Sequence, residues 1–90
     1  MKLTAIQIYN DFKELGSQGY EVTTEFDCGD IRLIEATKNN KILRITRIDN
    51  SVAMVLLDND KKRGKAGHLD LEEDTYETFK KYFDKVLERM

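Results

Sequence analysis

Residues 31–58 read IRLIEATK-NN-KILRITRI-DN-SVAMVLLD, three runs rich in Ile, Leu, Val and Thr separated by the pairs Asn39-Asn40 and Asp49-Asn50. Asn and Asp tolerate the positive φ that two-residue hairpin loops demand, so both pairs predict tight turns between antiparallel strands. The turns set the register. Ile34 then faces Ile45 and Ala36 faces Leu43, while Ile45 faces Met54 and Leu43 faces Leu56. One face carries the rows Ile34–Ile45–Met54 and Ala36–Leu43–Leu56 between charged ends, Arg32–Arg47–Val52 and Lys38–Lys41–Asp58. A half-buried sheet face has this form. The other face carries Glu35–Arg44–Val55, Leu33–Thr46–Ala53 and Thr37–Ile42–Leu57. Glu35 opposite Arg44 is a cross-strand pair worth about 0.2–1 kcal/mol.

Upstream, Tyr20, Val22, Thr24 and Phe26 alternate with Glu21, Thr23, Glu25 and Asp27, the pattern of a strand with one wet face. A two-residue loop after it would turn Glu25 and Asp27 toward the core. A three-residue loop, Cys28-Gly29-Asp30, pairs Phe26 with Arg32, Thr24 with Ile34 and Val22 with Ala36, and keeps the acids outside. The second register is the expected one.

Helices are expected at both ends. Thr4-Ala5-Ile6-Gln7 fits the capping box, and Ile8, Phe12 and Leu15 follow at helical spacing. That helix should cover roughly Ala5 to Gln18, with Gly16 or Gly19 as the left-handed residue that ends it. Asn59 to His68 is polar, holds two glycines and reads as an exposed loop. Asp70-Leu71-Glu72-Glu73 reads as the opening of the second helix, with Asp70 as cap. Tyr76, Phe79, Phe83, Val86, Leu87 and Met90 form its apolar stripe. The expected fold is α+β: a two-layer sandwich, α-β-β-β-β-α, with a four-stranded antiparallel meander, in a single domain over residues 1–90.

A chain of 90 residues buries only about 60–65 % of its unfolded surface. With 15 Lys and Arg against 17 Asp and Glu, the formal charge of −2 makes no bulk case for nucleic acid. No apolar run reaches membrane-span length, and the N-terminus has no apolar signal core. The lone Cys28 forms no internal disulfide, which fits a reducing, cytoplasmic compartment.

Candidate chemistry is sparse. Lys61, Lys62, Arg63 and Lys65 form the densest local charge, able to meet phosphate or an acidic surface. The cluster is bracketed by Asp58, Asp60, Asp70, Glu72 and Glu73 and lacks a stacking aromatic, so a solvated loop is the plainer reading. Asp58-Asn59-Asp60 begins like a calcium loop, but Lys62 takes the third ligand position and Leu69 stands where the bidentate Glu belongs. His68 with Asp58, Asp60 and Asp70 lacks the second nitrogen or sulfur of a transition-metal site. Gly64-Lys65-Ala66-Gly67 has neither the glycine spacing nor the following Ser/Thr of a P-loop. Cys28 has only His68 as a candidate base, and no pair of acids has an evident buried partner set. No motif carries a family resemblance. The chain is expected to be no enzyme and to need no cofactor and no metal.

Two helix placements fit the sequence. With both on one face, Leu33, Ile42, Val55, Leu57, Ile48 and Ile31 lie on a bare face, open to another protein or to a second copy in a homodimer. With one helix on each face, no patch remains. Compact charged αβ chains of this size often serve as inhibitors or immunity factors in microbes and phages. The leading expectation is a non-enzymatic protein-binding module, an inhibitor or regulatory factor of a larger enzyme or nuclease. It would act through the acidic edge strand and turn, Glu21, Glu25, Asp27 and Asp30, with the 59–68 loop, which holds Lys61, Lys62, Arg63 and Lys65, as an optional further contact. The alternative is a nucleic-acid-associated module using Lys61, Lys62, Arg63 and Lys65, with Arg32, Arg44 and Arg47 as secondary contacts.

Overall fold

The computed structural model describes residues 1–58 and 66–90. Its elements are α1 (Ala5–Gly16), β1 (Glu21–Asp27), β2 (Asp30–Lys38), β3 (Lys41–Ile48), β4 (Ser51–Asp58), β5 (Ala66–Asp70) and α2 (Tyr76–Leu87). The strands form one antiparallel meander in the order β1-β2-β3-β4-β5. The class is the α+β two-layer sandwich expected. The sheet, however, has five strands where four were anticipated.

The two central hairpins take the predicted register throughout: Ile34↔Ile45, Ala36↔Leu43, Ile45↔Met54 and Leu43↔Leu56 are all partners. Asn39, Asn40 and Asp49 sit at φ 55°, 62° and 52°, the left-handed region for which short polar side chains are suited. Their inward residues Ile34, Ala36, Leu43, Ile45, Val52, Met54 and Leu56 are buried together in one core.

The first hairpin departs from expectation. Thr24↔Ile34 and Val22↔Ala36 pair as predicted, but Phe26 faces Ile31 and Asp27 faces Asp30. Cys28 and Gly29 both take positive φ, 51° and 84°, and make a two-residue turn of the kind whose twist suits a hairpin. The odd residue is absorbed as a bulge at Arg32 instead of in the loop. Phe26 consequently stands 59 % exposed at the sheet's end.

The fifth strand comes from a segment read as loop. Ala66-Gly67-His68-Leu69-Asp70 has little strand propensity, but β4 offers an open ladder, and Leu69 buries against it opposite Val52. Asp70 therefore ends a strand and caps no helix. Its N–H donates to Asp74 Oδ2 at 2.7 Å, and Leu71 to Asp74 form a turn. The cap of α2 is Thr75, whose side chain accepts from the Thr78 N–H. At the other end Thr4 and Gln7 form the predicted capping box of α1, which stops at Gly16, with Gly19 at φ 92° just beyond.

Both helices pack on the same sheet face. Phe12 of α1 and Phe83 of α2 meet with ring centroids 5.2 Å apart, and the Tyr76 hydroxyl donates to Asp11 Oδ2 at 2.7 Å. The N-terminal residues are sewn to the connector ahead of α2: Leu3 N–H donates to Asp74 O and Tyr76 N–H to Met1 O. At the far end, Asn39 Nδ2 donates to Met90 O and Lys41 Nζ to Arg89 O, a cation at the negative end of the α2 dipole.

Candidate functional site

Among the described residues, the helices leave open the face of the sheet opposite them and the outer edges of β1 and β5. Strand alternation puts Glu21, Thr23 and Glu25 on that opposite face, at its β1 border, and all three are exposed. Asp27 and Asp30 stand directly opposite each other across the Cys28–Gly29 turn. Like charges so placed destabilise a ladder slightly, and Arg32 and Arg47 stand at the same end of the sheet. Among the described residues no strand pairs with the outer side of β1, and seven residues of backbone edge lie open. The four acids proposed from sequence therefore gather along one edge and its turn.

The basic cluster Lys61, Lys62, Arg63 and Lys65 lies outside the described residues. Its proposed helpers do not gather. Arg44 is on the open face, held by Glu35 Oε2 through Nε at 3.1 Å and Nη2 at 3.0 Å. Arg32 and Arg47 are instead on the helix side, at the end of a small apolar crevice under Ala5 and Ile8.

Sequence reasoning missed the feature at the sheet's end. The β1–β2 and β3–β4 turns stand side by side and enclose an open cleft of about 540 Å³, with Asp27, Asp30, Asp49, Arg32 and Arg47 on its walls. Arg47 Nε donates to Asp49 O at 2.8 Å. Ile48, 70 % exposed, and Phe26 add apolar surface at this end. The odd count between Phe26 and Ile34 was the only signal of the bulge that exposes Phe26. The cleft is shallow and mixed in charge, and no polar side chain among the described residues is buried. Cys28 also lines it, with no histidine among its described lining residues.

Cys28 is exposed in the first turn, while His68 sits on β5, so the strands β3 and β4 separate β2 from it and the two cannot meet. His68 Nε2 instead contacts Ser51 Oγ at 2.5 Å on the open face. That pair is exposed and joins β4 to β5, so it reads as a cross-strand polar contact. Among the described residues no group of three His, Cys, Asp or Glu could hold a metal ion, and no helix is long and apolar enough to cross a membrane.

The open face carries apolar residues around the central Glu35–Arg44 pair. Ile42 and Leu57 are partners across β3–β4, Leu33 lies two residues from Glu35 on β2, and Val55 is opposite Arg44. All four are half-buried. No family model, curated protein or solved structure matches this chain.

Proposed function

We propose that this chain is a protein-binding module with no catalysis of its own, an inhibitor or regulatory factor that engages a larger enzyme or nuclease through the β1 edge and its acidic turn. The observation that carries the reading is the open seven-residue edge of β1 with Glu21, Glu25, Asp27 and Asp30 exposed along it. Such an edge offers main-chain hydrogen bonds to an added strand, and the acids choose a basic partner. A cytoplasmic setting suits the exposed, free Cys28. The nucleic-acid reading has less support, because Arg44 is neutralised by Glu35 and Arg32 and Arg47 are on the other face.

The test compares two baits in extracts of the organism that carries the protein. One is the native chain, and the other carries Glu21→Lys, Glu25→Lys, Asp27→Lys and Asp30→Lys. A protein retained by the first and lost from the second, with affinity falling as salt rises, is the expected result. Equal capture by both baits, or capture of nucleic acid alone, would overturn the proposal.

A further inference from the structure

We infer that the sheet face opposite the helices is the seat of an amphipathic helix from the partner, with its apolar stripe on Leu33, Ile42, Val55 and Leu57 and a row of Lys or Arg on one flank over β1. This rests on the protein-binding reading and names the occupant of a second surface.

The dimensions suit one helix. Neighbouring strands are about 4.8 Å apart, so the five span about 19 Å. A helix with its side chains is about 10–12 Å wide. Laid over the central strand β3, it covers the columns of β2, β3 and β4, where the apolar residues are. An eight-residue strand is about 26 Å long, matched by a helix of about 18 residues.

Charge supplies the orientation. The β1 column reads Glu21, Thr23, Glu25, Asp27 on this face and contains no basic side chain. It lies two strand spacings from β3, about 10 Å, where the long side chains of a helix flank end. Alternate strand residues are about 6.7 Å apart and helix residues i and i+4 about 6 Å, so a flank of Lys or Arg runs nearly in step with the acids. Among the described residues the opposite border carries His68 and Asp70, against the unbroken acid column on β1, so the basic flank has one preferred side.

The same charges disfavour a second copy. A two-fold axis across the strands lays one β1 acid column on the other. An axis along the strands lays Asp27 over the Asp70 of the second copy, with Glu25 over its His68. The Glu35–Arg44 pair, in the middle of the apolar rows, adds a polar island that a stacked sheet would have to bury and that a helix can meet with a small polar residue.

The probe is a synthetic helix of about 18 residues built from Leu, Ala and Lys, apolar on one stripe, with Lys on one flank only. Its control carries Glu in place of each Lys. Titrated into the isotopically labelled protein, the Lys peptide should shift the signals of Leu33, Ile42, Val55, Leu57 and β1 and leave those of Leu43 and Phe79 in place. Ile42→Lys should weaken binding about tenfold or more, and so should Glu21→Lys with Glu25→Lys. Thr46→Arg, at a polar position of the same face, repeats the block should Ile42→Lys fail to fold. Equal binding of the Glu peptide, shifts confined to the helix side, or no shifts would overturn the inference. So would a concentration-dependent dimer that Ile42→Lys abolishes, which would give the face to a second copy. A natural partner that still binds Ile42→Lys but not the edge variant would end this inference and leave the edge reading standing.

Discussion

Tyr76→Phe, Asp11→Asn and the double variant together measure whether the two helices share a face. The Tyr76 hydroxyl donates to Asp11 Oδ2 at 2.7 Å. That bond first, then desolvation and the Asp11 charge, push the phenol from its ordinary 10.0 up to about 12. A hydrogen bond to a charged acceptor contributes about 1.5–3 kcal/mol. This one is only half-buried, and solvent screening reduces it to about 1 kcal/mol. Tyr76→Phe should therefore cost about 1 kcal/mol, or about 4–8 °C in Tm for a domain of this size. Urea and thermal unfolding of the four proteins at neutral pH should return a coupling of similar size. The pH dependence has a definite sign. Between pH 10 and pH 12 the folded chain keeps a proton that the unfolded chain releases. The contribution is full below pH 10 and is lost as the pH climbs toward 12, where the native curve should converge on that of Tyr76→Phe. One helix on each face would put these groups on opposite sides of the sheet. A coupling near zero, with parallel pH curves, would refute the shared face and remove the bare surface with it.

Four further substitutions probe the framework. Leu43→Ala, at a fully buried position of the central strand, should cost about 2–5 kcal/mol by urea denaturation; a loss well under 1 kcal/mol would place Leu43 outside the core. Thr75→Ala should lower stability by about 1 kcal/mol and Asp70→Ala by less, and the reverse order would restore Asp70 as the cap of the last helix. Gly29→Ala forces a Cβ into φ 84° and should cost about 1 kcal/mol although nothing crowds the site, whereas an unchanged midpoint would argue for a different turn.

The central hairpins were legible because two signals agree: turn residues that accept positive φ, and an alternation that a one-residue slip would invert. The helix cores were legible for the same reason at another period. Three features were not. The bulge at Arg32 hides in the parity of the first hairpin, which a longer loop would satisfy equally well. The fifth strand is stabilised by the ladder that β4 presents and by the buried Leu69, and its short run around Gly67 and His68 gives no apolar alternation to read. The start of the last helix was misplaced because Asp70-Leu71-Glu72-Glu73 imitates a capping box, while the true cap, Thr75, has Thr78 where a box would have Glu or Gln. Of the candidate site, the acids of the edge were readable as a wet strand face. The cleft was not, because it exists only where two turns far apart in sequence come side by side. Helix placement was open for a similar reason: the apolar stripe of α2 shows that it packs, and only its partners Phe12 and Asp11 show where.

The most direct measurement of the central claim is the solvent accessibility of methyl groups on the two sides of the sheet, read by NMR broadening from a soluble gadolinium chelate. Methyls of Leu33, Ile42, Val55 and Leu57 should broaden strongly at every protein concentration, while those of Ile34, Leu43, Ile45 and Leu56 stay sharp. Protection of both sets in the monomer would contradict the account, because something in the chain itself would then cover the face described here as free.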